Sequence, residues 1–321
     1  MRNQHMHFDQ ADANAAIIFG QNIGSAFRAD EGIFLARQLD YVKARVYEAK
    51  LPPLTGLQLV PQTSEVPEWA ATFTYQTFTA VGMAKVIANY ADDLPRADVK
   101  GVSATGTVKD IGDSYGYNIA ELRASSATGE NLPQRKANAA RRAIDLKLNQ
   151  IALIGEPAYG LYGLTTHPNI GLTVIAGDWA NVATTADAIL LDLDSLWNAV
   201  RTQSHGLHTP NRIALPSLAY GAASSKRLTD ALGETAMTFF IKKHPGFEFF
   251  EAPELETAGT GGVSLAIMYE YSPENLSMEV PMPFNQLPAQ ARNLELVVDC
   301  LARAAGVVVY YPLALTKAEG V

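Results

Sequence analysis

The fold is decided by the stretch Thr72-Phe73-Thr74-Tyr75-Gln76-Thr77-Phe78-Thr79, in which β-branched and aromatic residues begin with a period of two. This pattern predicts a strand, which we extend to residue 86. A second strand-like run covers residues 107–119, and a polar stretch, residues 89–106, separates the two. The sequence therefore predicts a long β-hairpin whose arms each reach roughly 40–50 Å at about 3.3 Å per residue.

An isolated hairpin of this kind is marginal in water because two strands alone bury little apolar surface. It must pack either on its own domain or on another subunit. The strands contain few large aliphatic residues and carry Gly82, Gly112 and Gly116, which favours packing on another subunit. We expect deletion of residues 89–104 to leave a folded subunit that does not assemble.

A long helix is predicted over residues 133–154, where Pro133 is tolerated in the first turn. Apolar residues follow at steps of three and four: Ala137, Ala140, Ile144, Leu148 and Ile151. This segment is also the one basic part of the chain, with Arg135, Lys136, Arg141, Arg142 and Lys147. Any nucleic-acid contact made by these side chains would be to phosphate, weak and sensitive to salt.

The remaining chain is predicted to be mixed. An irregular arm and a helix over residues 27–49 precede a proline-rich linker over residues 51–68. After the long helix, the pattern predicts an α/β region with helices at residues 184–202 and 224–240. The predicted strands are residues 212–216, 248–251, 264–271, 277–280, 294–301 and 307–311.

Composition bounds the function. The 321 residues are 48% hydrophobic and 18% charged, which is typical of a globular chain of about two domains. The formal net charge of −8 excludes a basic nucleic-acid footprint over the whole surface. A single cysteine, Cys300, excludes an intrachain disulfide and a thiolate zinc cage. We expect no membrane span and no signal peptide, and hence a cytoplasmic protein.

Two glycine motifs suggest catalysis or nucleotide binding only weakly. Gly112-Asp113-Ser114-Tyr115-Gly116 matches the G-x-S-x-G elbow of serine hydrolases, but strand-like sequence continues past it where the elbow requires a helix. We interpret these glycines as relief for a long strand. Gly259-Thr260-Gly261-Gly262 lacks dinucleotide-binding spacing and precedes a strand, so we interpret it as a mobile loop.

Candidate metal ligands are sparse. The pair His205 and His208 has no accompanying carboxylate motif, and Gly206 disfavours a helix there, so a loop is expected. Asp92-Asp93 and Asp192/Asp194 could hold a hard cation, although solvated turn and helix faces are the default interpretation. Cys300 lies in an apolar strand pattern and is expected to be a small core residue. No cofactor and no catalytic constellation is predicted.

The order of these elements resembles the major capsid proteins of tailed double-stranded-DNA phages, whose Hong Kong 97 fold is shared with encapsulins. Four local stretches carry the resemblance: Tyr90-Ala91-Asp92-Asp93-Leu94-Pro95-Arg96-Ala97-Asp98-Val99 at the loop tip, Tyr117-Asn118-Ile119-Ala120-Glu121-Leu122 before the long helix, Gly160-Leu161-Tyr162-Gly163-Leu164 with His167-Pro168-Asn169-Ile170 after it, and Gly306-Val307-Val308-Val309-Tyr310-Tyr311-Pro312 as a final strand. The likeness covers roughly residues 66–170 and 290–321.

The resemblance implies an α+β fold in four parts. These are an N-terminal arm (1–65), an extended β-hairpin loop (66–118), a peripheral domain (119–170 and 276–321) with a spine helix at about 133–154, and an axial α/β domain (171–275). It implies subunit contacts at the loop tip, through Asp92, Asp93, Pro95, Arg96, Asp98 and Lys100. It also singles out the turn after the spine helix (Gly160, Leu161, Gly163, Leu164). The charge pattern adds the basic face of that helix (Arg135, Arg141, Arg142, Lys147) as a candidate contact.

The implied function is structural. Copies of the chain would assemble through pentamers and hexamers into an icosahedral virion shell around double-stranded DNA, in the host cytoplasm, without a membrane. The implied partners are a portal protein, with scaffolding or decoration proteins as separate chains, and weak contact with packaged DNA. An encapsulin-like compartment and a serine hydrolase using Ser114 remain the alternatives.

Overall fold

The computed structural model describes residues 53–321 apart from 82–96, 119, 122–131, 230–232 and 294. Its helices are α1 (Gly56–Leu59), α2 (Leu132–Leu153), α3 (Ala186–Gln203), α4 (Ser217–Ser225) and α5 (Ala236–Lys243). Its strands are β1 (Gln62–Thr63), β2 (Thr72–Val81), β3 (Asp98–Asn118), β4 (Gly155–Glu156), β5 (Leu161–Tyr162), β6 (Gly171–Leu172), β7 (Arg212–Leu215), β8 (Glu248–Glu251), β9 (Leu265–Tyr269), β10 (Leu276–Glu279), β11 (Met282–Gln286), β12 (Gln290–Arg292), β13 (Glu295–Ala305), β14 (Val307–Val309) and β15 (Leu315–Glu319). The predicted helix over residues 27–49 lies outside the described residues.

The predicted hairpin is formed by β2 and β3, which pair antiparallel from Thr72 opposite Thr107 to Val81 opposite Asp98. The prediction that residues 98–106 belong to a polar tip is wrong, because β3 already begins at Asp98. Small and polar residues dominate residues 98–106, so this stretch lacks the apolar alternation that would predict a strand. Pairing with β2, a non-local contact, decides its conformation.

The second half of β3 is supported within the chain. Residues 108–118 pair antiparallel with β13, from Val108 opposite Ala305 to Asn118 opposite Glu295. β11 and β12 pair in turn with β13. The prediction of a hairpin without support on its own domain is therefore wrong for this half, while in the half beyond it β2 has no second strand partner among the described strands.

The long helix is confirmed as α2, with a buried stripe made by Ala140, Ile144, Leu148 and Ile151. It packs in a first core with β3, β13 and the 3-10 helix Pro253–Thr257. The described part of the predicted 51–68 linker is also in this core. Leu59 is fully buried, the backbone N–H of Gly56 donates to Asn149 Oδ1 at 2.7 Å, and β1 pairs in parallel with β10.

A five-stranded sheet in the order β6-β15-β9-β7-β8 separates the first core from a second. On β9, Leu265, Ile267 and Tyr269 face the first core, while Ala266 and Met268 face the second. This is the period-two alternation of a strand buried on both faces. The strand β15 was not predicted, and the predicted last strand at residues 307–311 is β14, which pairs with β10.

The second core lies between this sheet and helices α3, α4 and α5. The prediction of α3 is confirmed, but that of one helix over residues 224–240 is wrong. The chain forms α4 and α5 with an antiparallel bridge between Arg227 and Thr235. Thr235 begins α5, because its hydroxyl oxygen accepts a hydrogen bond from the backbone N–H of Thr238 at 3.3 Å.

A buried carboxylate on α3 holds the segment that precedes this helix. Asp192 accepts hydrogen bonds from the backbone N–H groups of Ala176 (2.9 Å) and Gly177 (3.3 Å) and from the indole Nε1 of Trp179 (2.9 Å). Asp194 instead pairs with Lys243 at the surface, at 2.7 Å. The two carboxylates are thus engaged in separate contacts, and the solvated-face interpretation is wrong for Asp192.

We expect Asp192→Ala to lower the free energy of unfolding by about 3 kcal/mol, because three donors lose a charged acceptor and the indole is fully buried. The matched control, Asp194→Ala, removes an exposed ion pair and should cost less than about 1 kcal/mol. Urea denaturation of unassembled subunits, followed by tryptophan fluorescence, measures both. Equal effects of the two changes would contradict this assignment.

Candidate assembly surface

The outer half of the hairpin is a two-stranded ribbon, which we define as β2 together with residues 98–107 of β3. Among the described strands, β2 pairs only with β3. The ribbon exposes large apolar side chains to solvent: Phe78 (68% exposed), Val99 (62%) and Val102 (65%). At about 3.3 Å per residue it is roughly 33 Å long. Such a ribbon buries too little of its own surface to be stable alone.

The glycines of β3 have a packing role inside the ribbon. Gly106 lies opposite Phe73 and Gly101 opposite Phe78. A Cβ atom built on Gly106 would lie 2.3 Å from the ring of Phe73, and one on Gly101 would lie 2.9 Å from the ring of Phe78. Each glycine therefore leaves room for a phenylalanine ring across the strand pair. Phe73 and Phe78 are five residues apart, so the two pairs occupy opposite faces.

Arg303 on β13 fixes the base of the ribbon. Its Nε lies 2.6 Å from Oδ1 of Asp110 on β3, its Nη2 donates to the carbonyl of Ala70 at 3.2 Å, and its Nη1 donates to the carbonyl of Glu68. The planar guanidinium thus joins both arms of the hairpin to β13. Arg303 belongs to no sequence motif, because it is a lone cation between Ala302 and Ala304 and its partners are distant in sequence.

A tyrosine pair gives the ribbon its second attachment. The rings of Tyr75 and Tyr310 meet edge to face with centroids 5.1 Å apart. The hydroxyl oxygen of Tyr310 is 3.0 Å from Ser277 Oγ on β10. Burial raises the pKa of both tyrosines above the usual value, so both hydroxyl groups keep their protons at physiological pH.

The predicted tip residues Asp92, Asp93, Pro95 and Arg96 lie outside the described residues. Asp98 is exposed at the start of β3, where its Oδ1 accepts a hydrogen bond from the backbone N–H of Val99 at 2.8 Å. The backbone of Lys100 lies opposite Thr79. These two residues are therefore part of the ribbon and not of a separate tip.

The predicted basic face of α2 is divided by the structure. Arg135 and Arg141 are exposed, and Arg141 is 4.0 Å from Asp145 one turn away. Arg142 is half-buried, and Lys147 is paired with Glu156 beyond the end of the helix. The exposed positive charge that could meet an anionic partner is thus smaller than the sequence suggested.

The turn after α2 closes the end of that helix. The backbone N–H groups of Leu164 and Thr165 donate to the carbonyls of Ala152 (2.9 Å) and Leu153 (2.8 Å). The hydroxyl of Thr166 donates to the carbonyl of Ile154 at 2.6 Å. Carbonyls at a helix C-terminus need such partners when they are buried. Leu161 and Leu164 are buried beside them, so this turn is part of the core.

His167 is the next residue of the chain after Thr166, and its ring packs edge to face against the ring of Tyr162. Burial lowers the pKa of His167, and the nearby ammonium of Lys317 adds to the effect. A neutral ring fits its contacts, because Nδ1 lies 3.3 Å from the backbone N–H of Asn169 and accepts from it. This histidine is a packing residue of the turn.

The other motifs are structural in the described part of the chain. Ser114 lies inside β3 opposite Asp299, and the strand continues to Asn118, so the premise of a nucleophile elbow is wrong. Thr260–Gly262 forms a single 3-10 turn after Gly259, with Gly261 at a positive φ of 77°, and Thr260 donates to Glu319, which ties this loop to β15.

The remaining candidates are two histidines in a loop and one cysteine in a strand. His205 has a positive φ of 51°, consistent with the predicted loop, and His208 Nδ1 lies 2.7 Å from Glu270 Oε2. Cys300 is buried in β13, as predicted. Within the described ranges, no group of three or more His, Cys, Asp or Glu side chains could hold a metal ion.

Comparison with known structures defines the class of fold. The capsid of Myoviridae phage XM1 matches with a TM-score of 0.80 at 19% identity, over 91% of this chain and 100% of that chain. The capsid of an empty GTA particle matches with a TM-score of 0.63 at 13% identity, over 90% and 97%. A virus-like particle from Pyrococcus furiosus matches with a TM-score of 0.51 at 13% identity, over 82% and 91%. The chain therefore has the α+β fold of Hong Kong 97-type capsid proteins.

The family follows from the sequence. The family model for the major capsid protein matches residues 82–321, well over half of the chain. The chain belongs to this family of phage major capsid proteins, which is a structural family. A comparison with curated proteins found no match. Among the described residues, no helix is long and apolar enough to cross a membrane.

Proposed function

We propose that copies of this chain assemble head to tail into pentamers and hexamers, and that these close into an icosahedral shell around double-stranded DNA. The observation that carries the proposal is the ribbon, which exposes Phe78, Val99 and Val102 and has too little packing of its own. A neighbouring subunit supplies the missing cover. A contact between two different faces of one chain repeats around a ring and closes it.

We propose the four-part division with two borders moved. Because α1 and β1 belong to the first core, the N-terminal arm ends before α1. Because β15 pairs with β9 and β6, the C-terminal strand belongs with the axial α/β domain. The extended loop (66–118) and the peripheral domain around α2 keep their assignment, and the axial domain is the five-stranded sheet with α3, α4 and α5.

Each contact along the ribbon contributes a modest binding free energy. A closed shell contains many copies of this contact, and together they make the assembly stable. The loop-tip residues and the exposed Arg135 and Arg141 are proposed to meet neighbouring subunits or, weakly, packaged DNA. The net charge of −8 limits adhesion of the inner wall to DNA. A portal protein and separate scaffolding or decoration proteins are the further partners proposed, with assembly in the host cytoplasm.

The purified chain should sediment as capsomers or megadalton particles and form closed shells in electron micrographs. Nuclease-protected double-stranded DNA in shells purified from an infected or induced host supports the phage assignment. Shells loaded with a single enzyme would identify an encapsulin-like compartment instead. A stable monomer under all conditions would contradict the proposal. Ser114→Ala serves as the control and should assemble as the unchanged chain does.

A further inference from the structure

One aromatic side chain is exposed at the entry to the ribbon. Trp69, three residues before β2, is 83% exposed. Of the other two tryptophans, Trp179 is fully buried and Trp197 is half-buried. A tryptophan in contact with water leaves a large apolar area uncovered, and such residues are enriched at the centres of protein interfaces.

The backbone around Trp69 is held firmly. The N–H of Ala70 donates to the carbonyl of Pro67 at 3.0 Å, which closes a turn. Arg303 binds the carbonyls on both sides of Trp69, those of Glu68 and Ala70. The guanidinium is itself tied to Asp110. The main chain that presents the indole therefore has its hydrogen-bond partners within the same subunit.

The hydrogen bonds of the main chain at Trp69 affect the entropy of binding. A partner that meets a flexible segment must offset the entropy lost when that segment becomes rigid. Here the main chain of residues 67–70 is already hydrogen-bonded within the subunit, so burial of the indole requires little further ordering of that main chain. Arg303 is in this respect a positioning residue for Trp69.

We propose that Trp69 is an anchor between two copies of this chain, inserted into an apolar depression of the neighbouring subunit. The inference rests on the proposed assembly of the chain. Only three residues, at most about 11 Å, separate Trp69 from the start of β2, so the neighbour that covers the ribbon is within reach. The exposed residues Glu65 and Glu68 precede Trp69 in the chain and give this segment negative charge.

Charge decides between a second copy and other partners. Phosphate backbones repel the Glu65 and Glu68 carboxylates, which disfavours packaged DNA as the occupant. A second copy carries exposed cations that suit an acidic segment, Arg135 and Arg141 among them. A charge pairing of this kind adds orientation to a contact whose energy comes from the buried indole.

Two substitutions and a matched control test the anchor. Trp69→Ala should raise the subunit concentration needed for assembly about tenfold or more, which corresponds to about 1.4 kcal/mol per contact. Trp69→Phe should recover most of the loss. Leu207→Ala changes another large apolar side chain, 76% exposed in the loop after α3, and should assemble normally. Circular dichroism and the melting temperature of unassembled subunits should be unchanged in all three.

Fluorescence gives a readout that a purely structural role would not move. The difference between the unchanged chain and Trp69→Phe isolates the emission of Trp69. In unassembled subunits this emission should be quenched readily by acrylamide, and in shells it should shift to the blue and resist quenching. Trp69 that remains accessible in shells would overturn the inference, as would Trp69→Ala shells formed at the normal concentration.

Two further outcomes separate the possible errors. Protection of Trp69 already in unassembled subunits would identify an occupant from the same chain and overturn the anchor. Failure of the unchanged chain to assemble would contradict the proposed function itself. Normal shells with an accessible Trp69 would contradict only the anchor, so the two failures are distinguishable.

Discussion

Shortening the ribbon to its base is expected to abolish assembly and leave a folded subunit. The change replaces residues 76–103 by Asn-Gly, which joins Tyr75 to Ala104. These two residues face each other in the ladder. The bond from the Val108 N–H to the Ala71 carbonyl sets the alternation of the ladder, in which Tyr75 and Ala104 form a hydrogen-bonded pair, so a two-residue type I′ turn can close the hairpin there. The variant keeps the Tyr75–Tyr310 contact and the Arg303 attachment but removes Phe78, Val99 and Val102, the exposed apolar side chains.

The design differs from deletion of residues 89–104, which the sequence suggested, because that deletion would remove the strand opposite Tyr75 to Val81. A matched control replaces only residues 82–97 by Asn-Gly, joining Val81 to its partner Asp98. It keeps the whole ribbon and should assemble with reduced efficiency. Sedimentation and electron microscopy measure assembly, and a cooperative thermal transition reports folding. Normal shells from the shortened ribbon would contradict its role in subunit contact.

A substitution in the turn after α2 should destabilise the subunit itself. A Cβ atom on Gly163 would lie 2.4 Å from the carbonyl carbon of Ile154, 2.4 Å from the carbonyl oxygen of Leu153 and 2.5 Å from the backbone nitrogen of Gly155. All three are backbone atoms at the end of α2, so no side-chain rotation relieves the contact. We expect Gly163→Ala to cost at least about 3 kcal/mol, or a melting temperature lowered by roughly 5 °C for a chain of this length.

Gly160 provides the matched control three residues away. Its φ is +71°, but a Cβ atom there would meet nothing within 4 Å. Gly160→Ala should therefore cost only about 1 kcal/mol, the strain of a left-handed backbone. Thermal unfolding and the soluble fraction on expression measure both variants. If Gly160→Ala were as damaging as Gly163→Ala, the close approach at Gly163 would not be the cause.

The elements that were predicted well carry their signal locally. The stripe from Ala140 to Ile151 recurs at helical spacing, and α2 lies within one residue of its predicted bounds. The alternation from Thr72 to Thr79 predicted β2 for the same reason. Residues 98–106 lack such a pattern, and α4 and α5 were merged because the break between them depends on a bridge from Arg227 to Thr235.

Fewer features of the candidate assembly surface could be predicted from the sequence. Gly112 and Gly116 were interpreted as relief for a long strand, while Gly101 and Gly106, which receive the rings of Phe78 and Phe73, were not singled out. Register alone brings those residues opposite each other. Arg303 and Trp69 escaped notice because neither belongs to a recognisable motif. Their importance arises when β13 places a guanidinium beside the turn that enters β2.

The sequence by itself determined the long helix, the existence of the hairpin and the capsid resemblance, since periodicity and the order of elements are read along the chain. Only the tertiary structure decided where support for the hairpin ends. β3 exchanges β13 for β2 as its partner at residues 107–108. Strand pairing joins residues far apart in sequence, so no local pattern encodes that point. At residues 107–108 the sheet that includes β13 ends and the two-stranded ribbon begins, and the exposed faces of this ribbon require a neighbour.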